Sequence, residues 1–289
     1  MLRTLIFLVI LIFVQGALGK EISNSIWFKT SQLPPRSITI VAHGLNLKPE
    51  KMNSIVTVLN EGGSDVLRVS LKGHTGNEEE FKKVTRNEWI QNIFSAYKEA
   101  RETADGLGIP LYFVGFSLGA LINLDLMNSF PETAIEYDRM ILFAPALVVK
   151  NTSYLVKTFY IFGSNFVVPS AMNKSYRANE KGTPLAAYSA LFDSISRLKK
   201  IGINQQNIPT LIMIDPKDEL VSASGLREMI EENQLFKWRI FNIQKKNSQL
   251  KTNYHHLIID EASVGLDEWT IIKNNIREHF RLEYYKPRF

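Results

Sequence analysis

Apolar residues along this chain alternate between two rhythms. Short, nearly unbroken apolar runs occur at Ser37 to Ala42 (SITIVA), Asp65 to Leu71 (DVLRVSL) and Leu111 to Phe116 (LYFVGF). Others follow at Met140 to Ala144 (MILFA), Thr210 to Ile214 (TLIMI) and Trp238 to Ile243 (WRIFNI). Rich in Val, Ile and Leu, these runs predict strands. Between them the spacing turns helical. Trp89, Ile93, Ala96, Tyr97 and Ala100 share one face behind Thr85-Arg86-Asn87-Glu88, which has capping-box spacing, and Gly106 and Gly108 close the element. Further helices are predicted over Leu118 to Phe130, Ala223 to Asn233 and Asp267 to Arg281. Strands apolar on both faces and separated by helices predict an α/β fold, a mostly parallel sheet covered on both sides. Such sheets carry their sites at the carboxyl ends of the strands, so each functional residue is expected just after a strand. The stretch from Leu147 to about Gln206 breaks the rhythm. It is aromatic-rich and lacks a long strand, which predicts a helical insertion covering the strand ends.

The first residues carry a different pattern. Met1-Leu2-Arg3 is short and positive, Thr4 to Val14 is apolar, and Ala17-Leu18-Gly19 is a small-residue cleavage site. This reads as a secretory signal peptide over residues 1–19, leaving a mature domain of residues 20–289 with its insertion at about 147–206. An uncleaved anchor is the rival reading, but the run is shorter than the roughly 20 apolar residues that span a bilayer. The expected location is outside a bacterial inner membrane, in the periplasm or the medium. No cysteine occurs, so neither a disulfide framework nor a lipid-bearing cysteine is available to an exported chain.

Composition narrows the function classes. With 45% hydrophobic and 22% charged residues over 289 positions, the chain has ample core for one α/β domain. A net charge of +5, spread without a basic stripe, argues against nucleic acid. Contact with a membrane would be peripheral only.

The chemistry centres on Gly115-Phe116-Ser117-Leu118-Gly119. Gly-x-Ser-x-Gly alone arises by chance in roughly one chain in ten, as a turn whose serine merely caps a helix. Here it ends a strand and opens a helix, the setting of a nucleophile elbow. A serine hydroxyl needs a base, and the base an orienting acid. His43 and His74 lie early, in turns they are expected to shape; His279 falls in the last helix, where a surface position is the default. His255 and His256 follow the last strand, where the chain order serine, acid, histidine places the base. In Asp215-Pro216-Lys217-Asp218-Glu219, Asp218 is the expected acid and Asp215 shapes the turn. Backbone N–H groups of Leu45 and Leu118 are the expected oxyanion donors. No metal or cofactor is called for.

Together "VAHGLN" (41–46), "SLKGHTG" (70–76), "GFSLG" (115–119), "DPKDELVS" (215–222) and "YHHLIID" (254–260) resemble the α/β-hydrolase superfamily. The nearest members are the carboxylesterases, monoacylglycerol lipases and lysophospholipases. The resemblance implies an acyl-enzyme serine hydrolase with a small cap between the sixth and seventh strands. The aromatic residues of that cap suggest an apolar pocket for short- or medium-acyl esters, monoacylglycerols or lysophospholipids. The resemblance also implies a Tyr-His-apolar-apolar pattern with an acidic residue five after the histidine. That favours His255, with Asp260 at the offset, over His256, with Glu261 there. Asn46 stands where the family often has a second glycine, and Asp215 where the acid loop commonly begins with glycine. A peptidase, amidase or thioesterase of the same fold would keep these residues. An inactive binding protein would usually lose one of the three roles, and all are filled.

Overall fold

The computed structural model describes residues 25–130, 134–245 and 254–282; the expected leader over residues 1–19 lies outside them. In chain order the first elements are β1 (Ile26–Phe28), β2 (Ser37–Ala42), α1 (Asn53–Glu61), β3 (Ser64–Val69), α2 (Glu78–Phe81) and α3 (Arg86–Leu107). Then come β4 (Leu111–Phe116), α4 (Leu118–Met127) and β5 (Arg139–Phe143). After an excursion containing β6 (Val167–Val168), β7 (Thr183–Pro184) and α5 (Leu185–Ile201), the chain returns as β8 (Thr210–Ile214). It continues through α6 (Ala223–Glu232), β9 (Trp238–Asn242), α7 (Glu261–Val264) and α8 (Leu266–Phe280).

Seven strands form one sheet in the order β1-β3-β2-β4-β5-β8-β9. Only β1, which the apolar pattern did not reveal, runs antiparallel, against β3. The other neighbours are parallel. Every residue of β2, β3, β4 and β8 is buried, as expected of strands covered on both faces. One core packs α3, α4 and α5 on one face, and α1 and α8 fill the other. The predicted α/β-hydrolase architecture is the one observed.

Sheet order makes the site. The chain crosses from β2 to β3 on one side, then comes back to place β4 on the other side of β2. That reversal opens a crevice at the carboxyl ends of β2 and β4, where open α/β sheets bind ligands. The motif helix α4 lies inside the molecule, buried from Leu118 to Leu126. Its two polar residues are both satisfied. Asn123 Oδ1 accepts from the Tyr137 hydroxyl at 2.8 Å, and the Arg86 guanidinium grips Asp125 through two bonds of 2.6 Å.

The capping box at Thr85 and Glu88 forms as read, and Gly108 takes the left-handed position that ends α3. Gly106 lies inside the helix instead. The excursion between β5 and β8 departs from a purely helical insertion. It holds a 3-10 segment over Asn151–Phe162 and a two-stranded ladder of β6 and β7 before α5. Counted along the described sheet, it falls between the fifth and sixth strands. Among the described residues no helix is long and apolar enough to cross a membrane.

His279 corrects a second expectation, since it is buried. Burial, helped by the charges of Arg239 and Arg139, pushes its pKa down to about 4. An unfolded chain takes up this proton near 6.5, so stability is complete above that pH and is lost as the pH falls toward 4. The melting temperature is expected to drop across that window, and less steeply in His279→Leu, by on the order of 1–3 kcal/mol of stability. Melts at a series of pH values measure it. An unchanged slope in the variant would remove His279 from the account.

Candidate active site

Ser117 links β4 to α4 in a turn with φ 50° and ψ −108°, a conformation that residues with a Cβ avoid. Neighbouring backbone holds it there. Its N–H donates to the Phe143 carbonyl at 2.9 Å, and its own carbonyl accepts from Leu121 and Ala146, each at 3.2 Å. The two motif glycines have a steric reason. A Cβ on Gly119 would lie 2.6 Å from the Ala42 carbonyl oxygen, and one on Gly115 would lie 2.7 Å from the Ala120 backbone. The turn is therefore pressed against β2 and α4, and the serine side chain has one direction left.

That direction leads to His256. Ser117 Oγ lies 2.9 Å from His256 Nε2, and His256 Nδ1 lies 2.7 Å from Asp218 Oδ2. The histidine with its proton on Nδ1 then donates to the carboxylate and accepts from the serine. Asp218 is fully buried, and its other oxygen accepts the N–H groups of Leu220 and Val221 at 2.7 and 2.8 Å. Burial opposes its ionisation, but the facing His256 and these hydrogen bonds outweigh it and hold the carboxyl below its ordinary range.

His255, favoured as the base by the resemblance, does not face Ser117. Its Nδ1 meets Asp215 Oδ2 at 2.8 Å instead. The two histidines are consecutive in a bend, so their side chains leave it toward different carboxylates. The buried run Leu257-Ile258-Ile259 follows His256 directly. Asp260 is occupied elsewhere, capping α7 and accepting the Tyr176 hydroxyl at 2.9 and 2.8 Å.

His43 and His74 pin the loop after β2. His43 Nε2 accepts the Leu71 N–H at 3.0 Å, and His74 Nε2 accepts the Asn46 N–H at 3.0 Å. Both are buried, and burial lowers both pKa values, that of His74 to about 4. They remain neutral acceptors at ordinary pH, which keeps Leu45 beside the serine. Leu118 begins α4 directly after Ser117, so both expected oxyanion donors lie at the site.

Sequence reasoning missed three participants. Glu219 accepts the backbone N–H groups of His255 and His256, both at 3.0 Å. Lys150 donates to the Asp218 carbonyl. The Asn46 amide bonds Asn179 and Gly182 in the insertion. Glu219, beside the expected acid, and Asn46, standing where the family often has glycine, carried usable signals; Lys150 carried none.

Above the serine lies a cavity of about 310 Å³ with Ser117 and His256 in its wall. The insertion contributes Leu155, Val156, Phe159, Tyr188 and Phe192 to its lining, and Leu45, Phe116 and Tyr254 come from the sheet side. The aromatic residues also stack on one another, as Tyr154 does on Phe192 and Phe162 on Phe166.

Residues 33–261 match the family described as serine aminopeptidase, S33. The chain belongs to that family. Among its relatives is the thermostable monoacylglycerol lipase of Bacillus sp. (strain H-257), 20% identical over 224 residues, which cover 76% of this chain and 83% of that one. Solved structures with the same fold include a soluble variant of the monoglyceride lipase of Saccharomyces cerevisiae. It is 13% identical with a TM-score of 0.68, covering 88% of this chain and 89% of that one. The monoacylglycerol lipase of Paleococcus ferrophilus is 17% identical with a TM-score of 0.65, covering 89% and 99%. The expected resemblance to α/β-hydrolases, esterases and lipases among them, is borne out.

The strained serine gives this S33 member a measurable signature. Glycine occupies positive φ without penalty, whereas alanine retains the strain. Ser117→Gly is expected to melt above Ser117→Ala by about 1 kcal/mol of stability. Paired thermal melts read the difference, and equal midpoints would mean that the turn carries no strain.

Proposed function

We propose that the protein hydrolyses carboxylic esters with apolar acyl groups, short or medium in length or borne on a lipid monoester, through an acyl-enzyme on Ser117. The carrying observation is the relay Ser117–His256–Asp218, with contacts of 2.9 and 2.7 Å, opening into an apolar cavity. Ser117 Oγ attacks the ester carbonyl as His256 Nε2 takes its proton. Asp218 holds the imidazolium that forms. The oxygen that gains charge is met by the Leu45 and Leu118 N–H groups. His256 returns the proton to the leaving alcohol. Water then repeats the sequence, its proton passing to His256 and back to Ser117 Oγ as the acid departs.

The mouth of the cavity supports a lipid substrate. Leu155 and Phe159 line it and are also exposed outside it. Beside them Ile161 and Phe162 stand 84% and 61% exposed. From Ala144 to Asn179 the chain has no Asp or Glu, while Lys150, Lys157, Lys174 and Arg177 are cationic. Exposed apolar residues beside the cavity, on a segment without acidic residues, fit peripheral contact with an anionic lipid surface. The leader pattern of residues 1–19 supports export, so the enzyme would meet such lipids outside the inner membrane. A second reading, cleavage of peptide amides, is favoured by the family description itself.

Two assays test this. A p-nitrophenyl ester series from acetate to palmitate should be turned over by the wild type. Loss of at least about a thousandfold is expected in Ser117→Ala and His256→Ala, whereas His255→Ala keeps at least about a hundredth of the wild-type rate. Turnover only of aminoacyl amides would replace the ester reading with the peptidase one. In the second assay, a variant carrying Ile161→Glu and Phe162→Glu should no longer sediment with phosphatidylglycerol vesicles. Its hydrolysis of soluble p-nitrophenyl acetate should be unchanged. Continued sedimentation would dismiss these residues as a lipid contact.

A further inference from the structure

Asp215 and His255 take no part in the proton relay, yet their placement ties them to it. The five residues Asp215–Glu219 present three carboxylates to two consecutive residues of the base loop. Asp218 meets the His256 ring, Glu219 takes both backbone N–H groups, and Asp215 meets the His255 ring at 2.8 Å. Asp215 is only 2% exposed, and its second oxygen accepts the Lys217 N–H at 2.8 Å. A buried carboxylate bonded side chain to side chain with a histidine ring is a directed contact, not a solvated acid that happens to lie nearby.

Geometry gives that contact work. His256 stands well beyond the end of β9 and just before α7, so no strand or long helix carries it. Its ring must accept a proton from Ser117, pass it to the leaving group and then serve water, all without drifting. A reacting group displaced by about 1 Å can cost about a hundredfold in rate.

We propose that Asp215 and His255 form a positioning clamp for the base. A second carboxylate–histidine pair, beside the relay and between the same two loops, holds His256 at its working distance from Ser117. The clamp rests on the esterase reading but is separable from it. His255 is a positioning residue and touches neither substrate nor Ser117.

The test uses the full mature enzyme and one soluble p-nitrophenyl ester. His255→Ala and Asp215→Ala should each lower kcat about ten- to a hundredfold with KM unchanged. Because the two act as one unit, the double variant should lose no more than the worse single one. His255→Asn sets an amide N–H where Nδ1 stands and should recover most of kcat. Should His255→Ala fail to melt cooperatively, His255→Gln, whose longer amide cannot meet Asp215 in the same place, replaces it. Folded His255→Ala with wild-type kcat would overturn the clamp. So would additive losses, or an Asn variant no better than Ala. Ser117→Ala and His256→Ala run alongside. Turnover surviving in either would overturn the relay itself, which separates the failure of that reading from failure of the clamp.

Discussion

Everything at the site depends on one steric constraint, the close approach of the serine turn to the backbone of β2. With the Ala42 carbonyl oxygen 2.6 Å from where a Gly119 Cβ would stand, the turn cannot withdraw or flatten. Ser117 is thereby held at φ 50°, which on its own would relax. The cost of that strain, of order 1–3 kcal/mol, is met by packing around a buried helix. The same approach brings the loop after β2 beside the serine, so the expected oxyanion donors come from two segments that touch. Gly44 tightens the contact further, since a Cβ there would lie 2.7 Å from the Phe116 ring.

A second constraint is electrostatic. Asp215, Asp218 and Glu219 gather three carboxylates in a largely buried corner, an arrangement that stands only if each finds a donor. Each does, among backbone N–H groups and two histidine rings. Lys245 faces the same corner and donates to the Tyr254 carbonyl. Burial pushes its pKa down to about 8, against the pull of Asp215, Glu219, Asp218 and Asp260, so near neutrality it still offsets part of their charge. The acid is kept ionised by local bonds rather than by exposure to solvent, which is what an orienting carboxylate requires.

Much of this was legible in the sequence because period and punctuation are local. β2, β4 and β8 have the bounds that their apolar runs announced, and the Thr85 cap follows from four residues. Chain order also anticipated that Asp218 meets the histidine loop, since the loop after β8 lies next to it. β1 escaped because three residues, half exposed at an edge, leave no alternation to read. The choice between His255 and His256 turned on side-chain direction within a bend, which no periodicity encodes. The family pattern points one residue early because two departures from it belong together. Asp215, where glycine is common, and the doubled histidine prove to be each other's partners at 2.8 Å. His279 was misjudged because its helix is amphipathic, and the default for a histidine yields when the face it occupies is the buried one.

The insertion, finally, is bonded to each part of the machinery it covers. Asn46, directly after the expected donor Leu45 and itself at φ 52°, gives its whole amide to Asn179 and Gly182. Tyr176 reaches Asp260 below the base loop, and Lys150 reaches the carbonyl of Asp218. Loop after β2, acid loop and base loop are each tied to a different point of the segment that lines the cavity. The segment that contributes Phe159, Tyr188 and Phe192 to the cavity is therefore anchored to these loops elsewhere along its length, and is not a detached cover. The polar ties of this segment, more than its aromatic stacking, fix the apolar cavity in place above Ser117.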